Sequence, residues 1–164
     1  MTDFARIPSR LGSLYATAED GKLTGLYFEG GRHAPAIVPT WRERAVFEAP
    51  FAECARQLDE YFAGCRQAFA LPLAPRGSAF QQRVWREIAA IPYGETLSYA
   101  ALAVRAGAPG AARAAGAATG RNPLSILVPC HRVMGGSGAL TGYAGGLERK
   151  RRLLEIEGVL RVAA

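Results

Sequence analysis

The sequence predicts an α+β fold, with a small N-terminal domain of strands and a helix followed by a mainly helical C-terminal domain. Strand patterns fall near the start of the chain, the proline-rich segment 71–77 reads as a linker, and the excess positive charge lies beyond that segment. We therefore predict domains at residues 1–73 and 78–164.

The N-terminal domain begins with two predicted strands. Leu11–Thr17 and Lys22–Glu29 flank Glu19-Asp20-Gly21, an acidic turn that ends in glycine. Behind Pro50, the helical spacing of apolar residues predicts a helix that stops near Gly64. The apolar stripe of this helix consists of Phe51, Cys54, Leu58, Tyr61 and Phe62.

The C-terminal domain opens with a helix that Ser78 and Gln81 are predicted to cap, because their spacing matches a capping box. Its predicted buried stripe is Phe80, Val84, Trp85 and Ile88, and Ile91-Pro92-Tyr93-Gly94 ends it.

Two short helices are predicted next, from about Thr96 or Ser98 to Ala106 and from about Gly110 to Thr119. They have the outline of a helix-turn-helix, which many helix pairs that do not touch DNA share. The second helix contains only small residues apart from Arg113, so its backbone can approach another surface closely. Composition alone favours a neighbouring helix over a DNA groove as that surface.

The charge distribution favours a polyanionic partner. Residues 1–77 contain nine Lys/Arg and nine Asp/Glu, whereas residues 78–164 contain eleven and five and supply the whole net charge of +6. A solubilising surface is the alternative. Because the chain lacks an apolar run of membrane-helix length and an apolar signal segment, we expect no membrane association and a cytoplasmic location.

The three cysteines, Cys54, Cys65 and Cys130, are odd in number and widely spaced, which argues against a disulfide framework. Neither CxxC nor HExxH occurs, so we expect no metal and no cofactor. Cys54 lies on the apolar stripe of its helix and is predicted to be a buried core thiol.

Cys130 is the candidate nucleophile. It follows an apolar run that Pro129 stops, and His131 and Arg132 come directly after it. A thiol reacts as its thiolate, which these two neighbours and a helix beginning at Cys130 would favour. A structural cysteine beside charged residues is the alternative. Because adjacent residues of a helix do not face each other, His131 is expected to reach Cys130 through a water molecule.

Two further features belong to this candidate site. His131 needs an orienting partner, and Glu157, in the last turn of a helix that stops at Gly158, is the candidate; a solvated surface glutamate is the alternative. The many glycines of residues 134–146 suggest a loop whose backbone lies close to a flat ligand, with Tyr143 in the pocket wall.

Pro129-Cys130-His131-Arg132-Val133 resembles the active-site motif of the O6-alkylguanine-DNA alkyltransferases, also called methylated-DNA–protein-cysteine methyltransferases. The resemblance extends over residues 78–158, while residues 1–77 agree with the family in length and in strand-then-helix order. The other matching segments are Phe80-Gln81-x-x-Val84-Trp85, Ile91-Pro92-x-Gly94-Glu95-Thr96, Ser98-Tyr99, Ala111-Ala112-Arg113-Ala114, Asn122-Pro123, Ser137-Gly138, Gly142-Tyr143-Ala144-Gly145-Gly146 and Glu157-Gly158.

The resemblance implies a ribonuclease H-like N-terminal domain and a winged helix-turn-helix in the C-terminal domain. It also implies direct-reversal repair of double-stranded DNA that carries O6-alkylguanine, and of O4-alkylthymine. Cys130 would take the alkyl group irreversibly, one lesion per protein molecule, from a base flipped out of the duplex. We expect a monomer in solution and leave cooperative binding along DNA open.

The resemblance assigns DNA contacts to the small-residue helix and its end. Arg113 would fill the gap that the flipped base leaves in the stack, in the minor groove. Ala112 and Ala114 would permit close approach, and Arg121 would contact DNA. This expectation replaces helix packing as the role of the small residues.

The resemblance also assigns chemical roles. Tyr99 would donate a proton or hydrogen bond at guanine N3 and is also expected to contact DNA. His131 would take the thiol proton through water, Glu157 would orient His131, and Asn122 would brace the turn that presents Cys130.

The substrate pocket would be walled by Val133, Tyr143 and Ala144, and the backbone carbonyls of Cys130 and Val133 would accept from the exocyclic amine of guanine. Two departures from the family pattern matter. Ala144 stands where some members have serine, so only a backbone N–H can reach O6 there. The N-terminal zinc ligands of some members have no counterparts in this chain.

Three alternatives remain. A lesion sensor that flips the base without transfer would lack a cysteine at position 130. A Cys-His hydrolase would need a histidine distant in sequence, and only His33 qualifies. A transcriptional regulator would bind DNA with Cys130 dispensable.

Overall fold

A computed structural model describes residues 1–162 of the chain. Its N-terminal part is a four-stranded sheet in the order β3-β2-β1-β4, followed by helix α1 (Phe51–Phe62). Strands β1 to β3 are antiparallel, and β4 runs parallel to β1. The strands are β1 (Asp3–Ile7), β2 (Leu14–Glu19), β3 (Lys22–Phe28) and β4 (Arg42–Glu43).

The sheet differs from the predicted strand pair in extent. Strands β1 and β4 were not predicted, because each is short and carries too few alternating residues to stand out. The predicted strand at Leu11–Thr17 is wrong by about three residues, since β2 runs from Leu14 to Glu19. Its register is set by β1, from the pair Asp3 and Ala18 to the pair Ile7 and Leu14.

Helices α1 and α2 (Ala79–Ala89) confirm the sequence predictions. Gly64 follows α1 with a φ of 76°, a conformation that glycine adopts without steric cost. Ser78 Oγ accepts from the Gln81 N–H at 3.2 Å, and Gln81 Oε1 accepts from the Ser78 N–H at 2.9 Å, which completes the capping box. Phe80, predicted to be buried, is only half-buried.

Helices α3 (Tyr99–Arg105) and α4 (Ala112–Gly120) form the predicted helix pair, and α5 (Leu147–Ile156) follows. A two-stranded parallel sheet of β5 (Leu97–Ser98) and β6 (Val133–Met134), which was not predicted, joins the start of α3 to the candidate active site. No helix within residues 1–162 is long and apolar enough to cross a membrane.

Helix α4 presents two different faces. Ala115, Ala118 and Thr119 are buried against α2 and α3, and the Trp85 indole N–H donates to the Ala118 carbonyl at 2.8 Å. Arg113 is on the exposed side of the same helix. The small residues therefore serve helix packing on one face and leave the other face open.

The edge of β3 connects the two halves of the molecule. The Leu26 N–H donates to the Pro123 carbonyl at 2.7 Å, and the Ser125 N–H donates to the Leu26 carbonyl at 3.0 Å. Further along this edge, Leu23 pairs with Leu73 of the predicted linker. These bonds hold the segment before Cys130 against the N-terminal sheet, which fixes the position of the candidate site.

Candidate active site

The segment that leads to Cys130 is braced by Asn122. The Asn122 side-chain amide donates to the Val128 carbonyl at 2.8 Å, and its Oδ1 accepts from the Leu124 N–H at 3.0 Å. Within this segment Ile126 has a φ of 70°, an unusual conformation for a β-branched residue that costs about 1–3 kcal/mol. The bonds made by Asn122 thus hold a strained turn whose end presents Cys130.

Cys130 begins a 3-10 turn, Cys130–Arg132, that buries His131 completely. His131 Nε2 lies 2.6 Å from Glu157 Oε2, so the structure brings together the predicted histidine and its orienting carboxylate. Because an ionised carboxylate can only accept, Nε2 carries the hydrogen and Nδ1 holds a lone pair. Nδ1 is buried and has no hydrogen-bond partner among the described residues.

Glu157 is the centre of a buried hydrogen-bond network. Arg132 Nε donates to Glu157 Oε1 at 2.7 Å, and the Tyr61 hydroxyl of α1 donates to Oε2. Burial opposes ionisation of the carboxyl group, but the hydrogen bonds from His131, Arg132 and Tyr61 together lower the pKa of Glu157 to about 2. Sequence reasoning missed Tyr61, which was assigned only to the apolar stripe of α1.

The expectation that Cys130 is ionised by its neighbours is wrong for the resting protein. The residue is 5 % exposed, and burial raises the pKa of its thiol, while Asn122 and Lys150 oppose the shift only in part. Arg132 does not contribute, because its guanidinium points to Glu157 and to the Ile91 carbonyl. Burial also lowers the pKa of His131, so the imidazole is neutral and can act as a base.

A cavity of about 380 Å³ opens beside Cys130. Tyr143 and Ala144, from residues 134–146, line it as predicted, and Tyr99, at the start of α3, also lines it. Burial raises the pKa of Tyr99, which therefore keeps its proton as a donor, although its hydroxyl currently bonds to the Thr141 carbonyl at 3.3 Å. Residues 134–146 are called the glycine-rich loop below.

Lys150 anchors the glycine-rich loop and was not singled out by the sequence. Its fully buried ammonium donates to the carbonyls of Val133 at 2.6 Å, Thr141 at 2.6 Å and Gly142 at 3.1 Å. Burial lowers the pKa of Lys150 to about 8. The position of Lys150 on the apolar side of its helix could have indicated this role, because a buried lysine needs acceptors inside the protein.

Of the remaining predicted site residues, some line the cavity and others do not. Arg121 lines it, whereas Arg113, Ala112 and Ala114 lie near the start of α4 outside the lining. Val133 is not brought to the cavity, contrary to expectation, because it is fully buried in β6 and its carbonyl accepts from Lys150. The other residues that line the cavity are Arg32, His33, Gly116, Ala117, Thr119, Gly120 and Gly142.

His33 reaches the cavity from the N-terminal half of the chain, although sequence reasoning placed it in a separate neutral domain. It forms no hydrogen bond with Cys130 in the part of the chain that the structure describes. Across residues 1–162, no three His, Cys, Asp or Glu side chains are grouped as metal ligands.

Comparison with known proteins assigns the family. A model described as the DNA binding domain of 6-O-methylguanine DNA methyltransferase matches residues 79–159, and a model described as its ribonuclease-like domain matches residues 4–75. The chain belongs to the 6-O-methylguanine DNA methyltransferase family. This membership and the architecture confirm the predicted resemblance and the α+β fold class.

Relatives within the 6-O-methylguanine DNA methyltransferase family cover nearly the whole chain. A methylated-DNA–protein-cysteine methyltransferase of Mycolicibacterium paratuberculosis is 47 % identical over 96 % of this chain and 93 % of its own. The constitutive enzyme of that name from Bacillus subtilis is 43 % identical over 97 % of both. The crystal structure of Mycobacterium tuberculosis OGT in complex with DNA has a TM-score of 0.86 and 45 % identity, covering 94 % of this chain and 92 % of that one.

Proposed function

We propose that this protein repairs DNA by transferring the alkyl group from O6 of guanine to Sγ of Cys130. One observation carries the proposal: Cys130 lines a cavity of about 380 Å³ beside a neutral His131 whose Nε2 is bonded to Glu157. A buried thiol, a base and an orienting carboxylate are the parts that nucleophilic catalysis by cysteine requires. Family membership and a relative crystallised with DNA support the same substrate class.

The first chemical step is removal of the thiol proton, because burial keeps Cys130 protonated at rest. Nδ1 of His131 accepts this proton through a water molecule, and Glu157 stabilises the imidazolium that results. A neutral thiol in the resting state protects the protein from unwanted oxidation, since the thiolate is the reactive species.

In the transfer step, the Sγ electron pair forms the S–C bond while the C–O6 bond breaks and guanine keeps its electron pair. Tyr99 donates its proton at N3 of the departing guanine, and the proton held by His131 restores the phenol through solvent. The net change replaces S–H and C–O6 bonds by S–C and guanine N–H bonds. Asn122 holds the strained turn in place throughout.

The exposed face of α4 is the proposed DNA-reading surface. It enters the minor groove, where Ala112 and Ala114 allow close approach and Arg113 occupies the space of the flipped base. Arg121 lines the cavity, and in this proposal it contacts the DNA strand. The protein acts as a monomer in this scheme, with cooperative binding left to measurement.

The reaction is stoichiometric in this proposal. A thioether is stable, and among the described residues that line the cavity there is no second thiol that could take the alkyl group from Cys130. Each molecule therefore repairs one base. O4-alkylthymine is a second substrate by the same chemistry, because it presents an alkyl group on an exocyclic ring oxygen.

Mass spectrometry after incubation with duplex DNA containing O6-methylguanine tests the proposal. We expect one CH₂ of added mass on the Cys130 peptide, at no more than one equivalent, and none in Cys130→Ser. DNA binding without added mass would favour the lesion sensor. Repeated turnover of a peptide or ester would favour the hydrolase, and both results would contradict alkyl transfer.

A further inference from the structure

Basic side chains from both halves of the chain line the Cys130 cavity at exposed positions. Arg32 and His33 belong to the loop after β3, and Arg121 directly follows α4. The same three residues also line an adjoining cavity of about 230 Å³. Arg32, His33 and Arg121 are called the cationic rim below.

The cationic rim is not neutralised by any ion pair in the described part of the chain. Among residues 1–162, none of its three members forms an ion pair with a carboxylate. Slight burial and the guanidinium groups of Arg121 and Arg32 lower the pKa of His33, so at neutral pH the two arginines carry the positive charge of the rim. Like charges held together without an acidic partner favour an anion between them.

The loop that carries Arg32 is fixed against the wall of the cavity. The Arg32 backbone N–H donates to the Ala144 carbonyl of the glycine-rich loop at 2.7 Å. A Cβ at Gly31 would lie 3.1 Å from the same carbonyl oxygen, so glycine permits this close approach. The backbone at Arg32 is therefore held at the cavity wall before any ligand binds, which reduces the entropy that this loop loses on binding.

We propose that Arg32 and Arg121 jointly bind one DNA phosphodiester beside the flipped nucleotide, so that the N-terminal domain takes part in substrate binding. The inference rests on the proposed base flipping. A flipped nucleotide stays attached to its strand, so its flanking phosphates remain at the cavity mouth, where the rim lies. Guanidinium groups suit this ligand because they bind phosphate oxygens with two parallel hydrogen bonds.

Transfer rates of Arg32→Gln, Arg121→Gln and the double variant test the joint site, with Arg56→Gln as the control. Arg56 is an exposed N-terminal arginine paired with Glu53 and Glu60, so its loss changes the net charge equally without touching the rim. Each variant reacts with duplex O6-methylguanine over a range of salt concentrations, and with free O6-benzylguanine, which has no phosphate.

We expect Arg32→Gln to slow the duplex reaction about tenfold and the free-base reaction less than threefold. The slope of log rate against log salt should become shallower by about 0.9, as for one lost phosphate contact. Because both arginines hold one phosphate, the double variant should lose less than the product of the single losses. Arg56→Gln should match the wild type.

Three results would overturn the inference: duplex rates unchanged in Arg32→Gln, equal losses on both substrates, or a double variant whose loss is the full product. Each of these can occur while the wild type still alkylates Cys130, in which case the proposed function stands. A wild type that transfers nothing from duplex DNA or from the free base would instead remove the proposed function itself.

Discussion

The two halves of the molecule differ in whether their surface arginines form ion pairs. Most exposed arginines of residues 1–77 pair with a carboxylate, as Arg6 does with Glu29 and Glu43, and Arg56 with Glu53 and Glu60. Between residues 78 and 162, the only arginine that forms an ion pair is the buried Arg132. The exposed arginines of this second half are left without acidic partners.

This difference separates a supporting surface from a binding surface. Exposed ion pairs contribute only about 0–1 kcal/mol each, but they cancel the field that each charge would exert at a distance. Unpaired cations add their fields and attract a polyanion. Arg32 is informative because it belongs to the N-terminal half by sequence, yet it is unpaired and lies at the active-site cavity.

Neutralising a buried carboxylate should have the largest effect on stability. Glu157→Gln removes the charge that compensates Arg132 at a buried position, so we expect a loss of about 3–5 kcal/mol. Glu43→Gln removes an exposed partner of Arg6 and should cost less than about 0.5 kcal/mol. Chemical denaturation measures both, and similar losses would show that burial does not set the strength of these pairs.

The pH dependence of the free energy of unfolding should reveal the lowered pKa of Glu157. The folded-state pKa of Glu157 is about 2, below its ordinary value, so the stabilisation it gives is complete above about pH 5 and disappears as the pH falls towards 2. The shift corresponds to about 3 kcal/mol. Denaturation of the wild type and Glu157→Gln at several pH values should give curves that converge in acid. Parallel curves would contradict the depressed pKa.

The sequence was sufficient for features that depend on local chemistry. The capping box at Ser78, the stop at Gly64 and the helix pair around residues 107–111 follow from neighbouring residue types. The contact between His131 and Glu157 was also predicted, but through the family resemblance, since the residues themselves favoured an exposed glutamate.

Features that depend on tertiary burial could not be predicted in this way. The sequence places two cations beside Cys130 and therefore suggests a thiolate, whereas the fold turns Arg132 away and buries the sulfur. The position of Arg32 depends on how the edge of β3 meets the segment before Cys130, which is a contact between distant parts of the chain. No local pattern encodes that contact.

Lys150 and its neighbour Arg151 offer a second comparison between buried and exposed charge, on one helix. Lys150→Met leaves three carbonyls without their donor, partly offset by removal of a buried charge, so we expect a loss of about 2 kcal/mol. The glycine-rich loop should loosen, which would slow the reaction with free O6-benzylguanine. Arg151→Met, at an exposed position, should leave both stability and rate unchanged.

Weakening of the glycine-rich loop would be visible as faster amide exchange across residues 134–146 in Lys150→Met. A stable variant with wild-type exchange would mean that the carbonyls find other donors, and the anchoring role of Lys150 would be wrong.

Arg113 and Arg105 separate intercalation from simple attraction to DNA, because both are exposed and unpaired and they lie on neighbouring helices. Arg105→Ala should weaken duplex binding only through the lost charge. Arg113→Ala also leaves the flipped base's place in the stack unfilled, so we expect duplex repair to slow about tenfold more. Free O6-benzylguanine needs no filler and should react at similar rates with both variants. If the two variants lose duplex repair equally, Arg113 acts only as one more positive charge on the C-terminal surface.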